Sequence, residues 1–202
     1  FAALGMATAI AFGQKRVSFY ENGVVSLNLP PVGNVLGTRA TRTTHPQTLQ
    51  RFEALFSMIF DQNLRVDNPF FWRTKTEVVQ TIARLGMADQ IAFTRSCADV
   101  HNQTKQYAHC GRCSQCVDRR FAMLAADLAG HDPEEAYRFD LMTSPRERVQ
   151  DKEVALSYVR SAFAYEVINE AELVAQFPAI LNAVQSLGEP PDTAIRRIVD
   201  LL

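Results

Sequence analysis

Four cysteines in a stretch of 20 residues are the chain's most evident means of doing chemistry. Cys97-Ala-Asp-Val-His-Asn-Gln-Thr-Lys-Gln-Tyr-Ala-His-Cys110-Gly-Arg-Cys113-Ser-Gln-Cys116 holds every cysteine of the 202 residues. The last three form a double C-x-x-C, and 12 polar, loop-like residues separate it from Cys97. Four thiolates satisfy a tetrahedral Zn²⁺, and a close-spaced knuckle plus a distant ligand is typical of structural zinc sites. Gly111 suits a knuckle whose backbone must turn tightly to bring thiolates and amides onto one ion. The metal ligands are therefore read as Cys97, Cys110, Cys113 and Cys116. Two disulfides, a C-x-x-C redox pair and unrelated buried thiols are the competing readings. A chain of this length has little need of covalent staples. A redox dithiol leaves Cys97 and one knuckle cysteine unexplained. His101 and His109 are substitute ligands in principle; with four cysteines available, both read as loop residues or as neighbours of the ligands.

Outside this stretch, the residues able to meet an anion are scattered. Val32–Thr44 is a glycine-containing connection carrying Arg39 and Arg42, either solvated or a substrate or phosphate loop. It matches neither G-x-x-x-x-G-K-[ST] nor G-x-G-x-x-G. His45, Lys75, Arg95 and Arg119 are the other substrate-side positions. Lys75 lies in a helix's first turn, where simple exposure competes with an anion contact. From Arg95 to Arg120 there are five Lys/Arg against two Asp, a basic patch able to hold phosphate or, less readily, nucleic acid. No residue is assigned a catalytic role. Asn68-Pro-Phe-Phe-Trp72 reads as a core-packing turn, with base stacking as the functional alternative.

The positioning elements follow from capping and periodicity. Phe1–Phe12 reads as a buried helix stopped by Gly13. Arg16–Tyr20 and Val24–Leu29 read as strands about an Asn22-Gly23 turn, the second ended by Pro30-Pro31. The first helix and strand suggest an α/β layer whose earlier strands precede Phe1. A helix begins at His45-Pro46, with Leu49, Phe52, Leu55, Phe56 and Ile59 inward. Leu64–Val66 is a short strand. Thr74-Lys-Thr-Glu77 is a capping box opening a helix with Val78, Val79, Ile82 and Leu85 on its apolar face. Met87–Ala92 adds a turn. Ser114–Ala129 is a helix with Val117, Phe121, Leu124 and Leu128 inward and Cys116 in its first turn, where the helix dipole favours a thiolate. Asp132-Pro-Glu-Glu135 reads as a helix start. Asp151–Ile168, Glu170–Phe177, Pro178–Leu187 and Pro191–Leu202 complete a helical tail. The expected division is residues 1–130 with the zinc site and 131–202 as an accessory helical subdomain, read as a surface for a second copy or another protein.

Composition narrows the class. The chain is 47% hydrophobic and 21% charged with net charge −1, so no global basic field recruits nucleic acid. No run approaches the roughly 18 apolar residues of a membrane span. Phe1–Gly13 imitates a signal h-region without a basic segment before it. Clustered cysteines suit a reducing cytosol, and a cytoplasmic location is expected.

The string Thr94-Arg95-Ser96-Cys97, followed by His109-Cys110-Gly111-x-Cys113-x-x-Cys116-x-x-Arg119, closely resembles the zinc motif of the 7-cyano-7-deazaguanine synthase (QueC) family. A Pro-led helix containing Phe52, an N-P segment and the Thr74–Glu77 helix start precede it in the family's order. The resemblance spans about residues 1–128, and the tail is longer than the family leads one to expect. Phe19–Pro30, FYENGVVSLNLP, looks like QueC-like proteins, some of them from bacterial defence systems. The resemblance implies a C-terminal part of a PP-loop ATP pyrophosphatase with a partial Rossmann-type, adenine nucleotide α-hydrolase-like α/β fold. It further implies an ATP- and Mg-dependent ligase of queuosine biosynthesis. Such an enzyme adenylates 7-carboxy-7-deazaguanine and converts it to amide and then nitrile. The family's Ser-Gly-Gly-x-Asp-Ser loop occurs nowhere in the chain. The chain alone is therefore expected to be inactive, as though its upstream part were missing. Thr41-Arg-Thr-Thr-His-Pro46 also stands where the family has Asp and a Tyr-Pro-Asp type string, which removes substrate-contacting carboxylates. The alternative is a zinc-stabilised module that binds nucleic acid or protein without catalysis. A thiol oxidoreductase is the third reading.

Overall fold

The computed structural model describes residues 1–29, 43–99 and 106–202. The elements are α1 (Ala2–Ala11), β1 (Arg16–Ser18), α2 (Gly23–Leu27), α3 (Pro46–Phe60), β2 (Arg65–Asp67) and α4 (Lys75–Arg84). A 3-10 turn at Ala88–Phe93 leads toward α5 (Ser114–Ala125), and two shorter ones follow at Ala129–His131 and Glu134–Ala136. The chain closes with α6 (Val149–Val167), α7 (Glu170–Gln176), α8 (Ile180–Ser186) and α9 (Pro191–Leu201). The described residues are thus mainly helical, with one small parallel sheet. A complete Rossmann sheet is not among them.

Packing divides the chain into two units, Phe1–Arg73 with Ala164–Leu202, and Thr74–Phe163. Residues 131–163 share a unit with the cysteines because Asp132, Tyr137 and Phe139 pack against the cysteine-bearing segment, as described below.

In the first unit, β1 and β2 pair in parallel, Arg16 with Arg65, Val17 with Val66 and Ser18 with Asp67. Parallel neighbours require a crossover, and α3 lies in it. Met6 of α1, Leu49 and Phe56 of α3, Leu64 and Val66 form one buried cluster. Leu55 and Ile59, expected inward, are 45% and 62% exposed. Val24–Leu29 is not a strand. Asn22 caps a short helix, its side-chain oxygen accepting from the Val25 amide, and Asn28 ends it in the left-handed conformation. Gly23 is required there: a Cβ would lie 1.9 Å from the Phe71 carbonyl oxygen. Phe71 joins Leu27, Ile168, Leu173, Ile180, Val184, Ile198 and Leu201 in a second core. Trp72 is covered by the Arg197 guanidinium, 3.8 Å from a ring centre. Core packing therefore accounts for this aromatic turn. Pro30-Pro31 lies outside the described residues.

In the second unit, the Thr74–Glu77 capping box forms as read, with the Glu77 amide donating to the Thr74 hydroxyl at 3.2 Å and the Thr74 amide to Glu77 at 2.7 Å. α4 packs against α5. Leu85 is 70% exposed, so the apolar face of α4 is shorter than expected. α5 turns inward Cys116, Val117, Arg119, Ala122 and Met123. Phe121 and Leu124 are exposed instead, because the cysteine cluster and the Arg119 ion pair fix the helix's rotation. No helix among the described residues is long and apolar enough to cross a membrane.

Candidate metal centre

Cys113 is the N-cap of α5 and Cys116 lies in its first turn. Cys110 and Gly111 form the turn before it, and Cys97 follows the 3-10 turn that ends at Phe93. The four Sγ atoms lie within 4.8 Å of one another. Individual separations are 3.9 Å for Cys110–Cys116, 3.9 Å for Cys97–Cys113 and 3.5 Å for Cys113–Cys116. A disulfide needs about 2.04 Å, so the cysteines are free thiols. A Zn–S distance of about 2.3 Å gives a tetrahedron with edges of about 3.8 Å, close to what is observed. Cys110 and Cys116 are fully buried.

Backbone amides already point at the sulfurs. The Cys110 amide donates to Cys97 Sγ at 3.4 Å, and the Arg112 and Cys113 amides donate to Cys110 Sγ at 3.4 and 3.3 Å. Such donors stabilise thiolate charge. Hydrogen bonding with Cys113 pushes the Cys110 thiol up to about 12, and hydrogen bonds with Cys110 and Cys113 raise Cys116 as well. Cys113 is held well below its usual value by hydrogen bonds from Cys110 and Cys116. Four thiolates this close together repel one another and call for a metal dication between them.

The knuckle is clamped by the segment after α5. His109 and Tyr137 form a parallel bridge, with the His109 amide donating to the Ala136 carbonyl at 3.0 Å and the Arg138 amide to the His109 carbonyl at 2.9 Å. The Arg112 guanidinium lies over the Phe139 ring at 3.5 Å and pairs with Asp151 at 3.5 Å. Gly111 has φ +76°, and a Cβ there would sit 1.8 Å from the Phe139 carbonyl oxygen. Gly111→Ala combines about 1–2 kcal/mol of left-handed strain with a backbone collision. It is expected to cost the protein most of its bound metal and several degrees of melting temperature. Gly130→Ala, where an added Cβ meets nothing within 4 Å, is expected to keep both. Metal analysis beside a thermal melt checks the pair.

His109 is not one of the clustered ligands. Its ring tilts against Tyr137 at 4.9 Å, and burial, then the nearby Arg119 charge, lowers its pKa to about 4. It is a neutral, buried neighbour of the centre. Among the other positions read from sequence, Arg39, Arg42 and His101 lie outside the described residues. His45 belongs to the first unit, where its Nδ1 accepts from the Gln47 amide as the α3 cap. Lys75 is half-buried in the first turn of α4, where its charge favours the carboxylate of Asp118 against the burial that raises that group's pKa. Arg95 is exposed, two residues before Cys97.

Arg119 is buried and its guanidinium is engaged within the protein. Nε donates to Asp132 at 2.7 Å, Nη1 to the Thr94 hydroxyl at 2.7 Å and Nη2 to the Ile91 carbonyl at 2.8 Å. Asp132 also accepts from the Tyr137 hydroxyl at 2.7 Å, and Arg120 reaches its carboxylate at 3.5 Å. The sequence reading missed this hub. The sequence places a helix start at Asp132, but only a single 3-10 turn follows it, because its carboxylate is drawn to the two arginines of α5.

The described residues thus comprise helices with one small parallel sheet and, in the second unit, four free thiols placed to hold a metal ion. Residues 43–127 match the family described as "Queuosine biosynthesis protein QueC" and form a QueC-like region that contains all four cysteines. No curated protein and no solved structure matches the chain.

Proposed function

We propose that this chain is the zinc-bearing part of a QueC-like, ATP-dependent enzyme that acts on the carboxylate of a 7-deazaguanine-like base. One observation carries the reading: a thiol cluster of tetrahedral dimensions lies inside the QueC-like region. Zinc suits four thiolates and, so ligated, keeps no open position, so its role is structural. It ties the segment at Cys97 to the start of α5. Exposed Arg95 beside this tie is the side chain best placed to meet an anionic substrate, whereas Arg119 is held inside. No residue of the chain matches a phosphate-binding loop, so no step involving ATP or Mg²⁺ is derived from these residues.

Metal analysis of the full chain is expected to give about one zinc per chain. Folded protein free of metal would end the zinc reading. Calorimetric titration with 7-carboxy-7-deazaguanine is expected to give binding that Arg95→Glu weakens. Zinc-loaded protein that takes up no ligand at millimolar concentration would end the substrate reading and leave the metal site standing. The chain on its own is expected not to cleave ATP to AMP and pyrophosphate.

A further inference from the structure

The four cysteines are not equally sheltered. A partly enclosed cavity of about 40 Å³ lies beside them, with Cys110, Arg112, Cys113 and Phe139 in its wall. Cys110 is 2% exposed and Cys116 fully buried, whereas Cys113 is half-buried. Cys97 is also half-buried but does not line the cavity. Cys113 is therefore the thiol most open to a molecule in this space. It is also the N-cap of α5, and partly exposed cysteines at helix N-termini are the reactive ones. The Cys116 sulfur lies 3.5 Å from that of Cys113, nearer than the 3.9 Å to Cys97.

The same wall holds a spare donor. The Arg112 guanidinium stacks on Phe139, pairs with Asp151 and donates to the Pro145 carbonyl. Its Nε is buried with no acceptor among the described residues. A buried donor of this kind calls for one. Size and charge narrow what supplies it. Arg112 and Arg148 face Asp99 and Asp151 around the cavity, so its formal charges cancel and a neutral visitor is favoured. One water needs about 10–15 Å³, so the space takes a molecule of two or three heavy atoms and excludes a peptide thiol or a sugar. Hydrogen peroxide is neutral, has two oxygens and accepts hydrogen bonds.

We infer that Cys113 is a peroxide-reactive thiol, served by the cavity beside it, and that its oxidation pairs it with Cys116 and frees the metal. The Cys113 thiolate sulfur attacks one peroxide oxygen, the O–O bond breaks, and hydroxide leaves, giving a sulfenic acid. An N–H donor such as Arg112 Nε stabilises the charge growing on the departing oxygen. The Cys116 thiolate then attacks the Cys113 sulfur and expels a second hydroxide. Two thiolates become one disulfide, the peroxide takes up two electrons, and two protons from solvent complete two waters. Two of four ligands are then gone, and the metal leaves. Metal release rests on the zinc reading above; the disulfide does not.

The test treats the zinc-loaded full chain, its metal content measured beforehand, with hydrogen peroxide. Free zinc is followed with a colorimetric chelator, and cysteines are mapped by mass spectrometry. A Cys113–Cys116 disulfide is expected, with zinc released in step with it. A 1,3-diketone that traps sulfenic acids is expected to label Cys113. With tert-butyl hydroperoxide, too bulky for the cavity, oxidation is expected to be at least about tenfold slower than the ratio of the two reagents on free cysteine accounts for. Arg112→Lys keeps a cation but removes the Nε donor, and is expected to react about tenfold more slowly. Label on Cys97, a first disulfide that omits Cys113, or resistance to peroxide would overturn the inference. Equal sensitivity to the bulky reagent would do so too, because the cavity would then have no part. A chain that binds no zinc would end the zinc reading, and the disulfide map would still decide this one.

Discussion

Replacing Cys116 with serine is expected to strip the metal from the chain and unfold the segment around it. Cys116 is fully buried, and its sulfur lies 3.9 Å from Cys110 and 3.5 Å from Cys113, so no water can take its place without opening the cluster. Structural zinc sites in small domains contribute about 10–16 kcal/mol of binding free energy that is also folding free energy. Around this centre little else competes with that figure. The buried cluster at the site consists of Cys110, Cys116 and Tyr137, with Cys97, Cys113 and Ala136 beside it. Hydrogen exchange should therefore show amides of residues 106–139 losing protection in Cys116→Ser, and in wild type treated with a strong chelator. The helices α7–α9, held by their own apolar core, should keep theirs. Cys113→Ser should behave like Cys116→Ser, and His101→Ala should not. An equal loss in His101→Ala would make that histidine a ligand. Protection unchanged on metal removal would show that packing alone holds the knuckle. Because each thiol must lose its proton to bind, metal release should be promoted by acid.

Where structure was legible in the sequence, the signal was local. The His45-Pro46 start of α3 and the Thr74–Glu77 box need only neighbouring amides, and both form as read. The cysteines were legible because ligand spacing follows from the size of one ion. The strand expected at Val24–Leu29 failed for a related reason. β-Branched Val24 and Val25 favour a strand by pattern, yet Asn22 and Asn28 supply caps at both ends of a five-residue helix. The partners that outweigh the pattern are distant: Leu27 packs with Phe71 and the C-terminal helices. Arg119 was read as an anion contact because arginine beside a zinc motif suggests phosphate. Its partner, Asp132, lies 13 residues on, beyond the reach of any capping or periodicity rule. An arginine pair followed by an acid that then makes no helix was the one available clue.

Asp132→Ala is expected to destabilise the zinc-bearing unit by about 3–5 kcal/mol, the cost of leaving a buried charge without its partner. Asp132 is 1% exposed and Arg119 5%. The carboxylate accepts from Arg119 at 2.7 Å and from Tyr137 at 2.7 Å, so its loss strands a guanidinium and a phenol together. The remaining bonds of Arg119, to Thr94 and Ile91, are made to neutral oxygens and do not balance its charge. Asp132→Asn keeps the shape and some of the hydrogen bonding, and should cost less. The discriminating measurement is a double-mutant cycle read by urea unfolding of zinc-loaded protein. If the penalty comes from the stranded charge, Asp132→Ala with Arg119→Met should be more stable than Asp132→Ala alone, because methionine fills the site without a charge to satisfy. Additive losses would show instead that the two residues act independently. The hub would then be incidental to the way α5 and the Tyr137 segment enclose the four thiols.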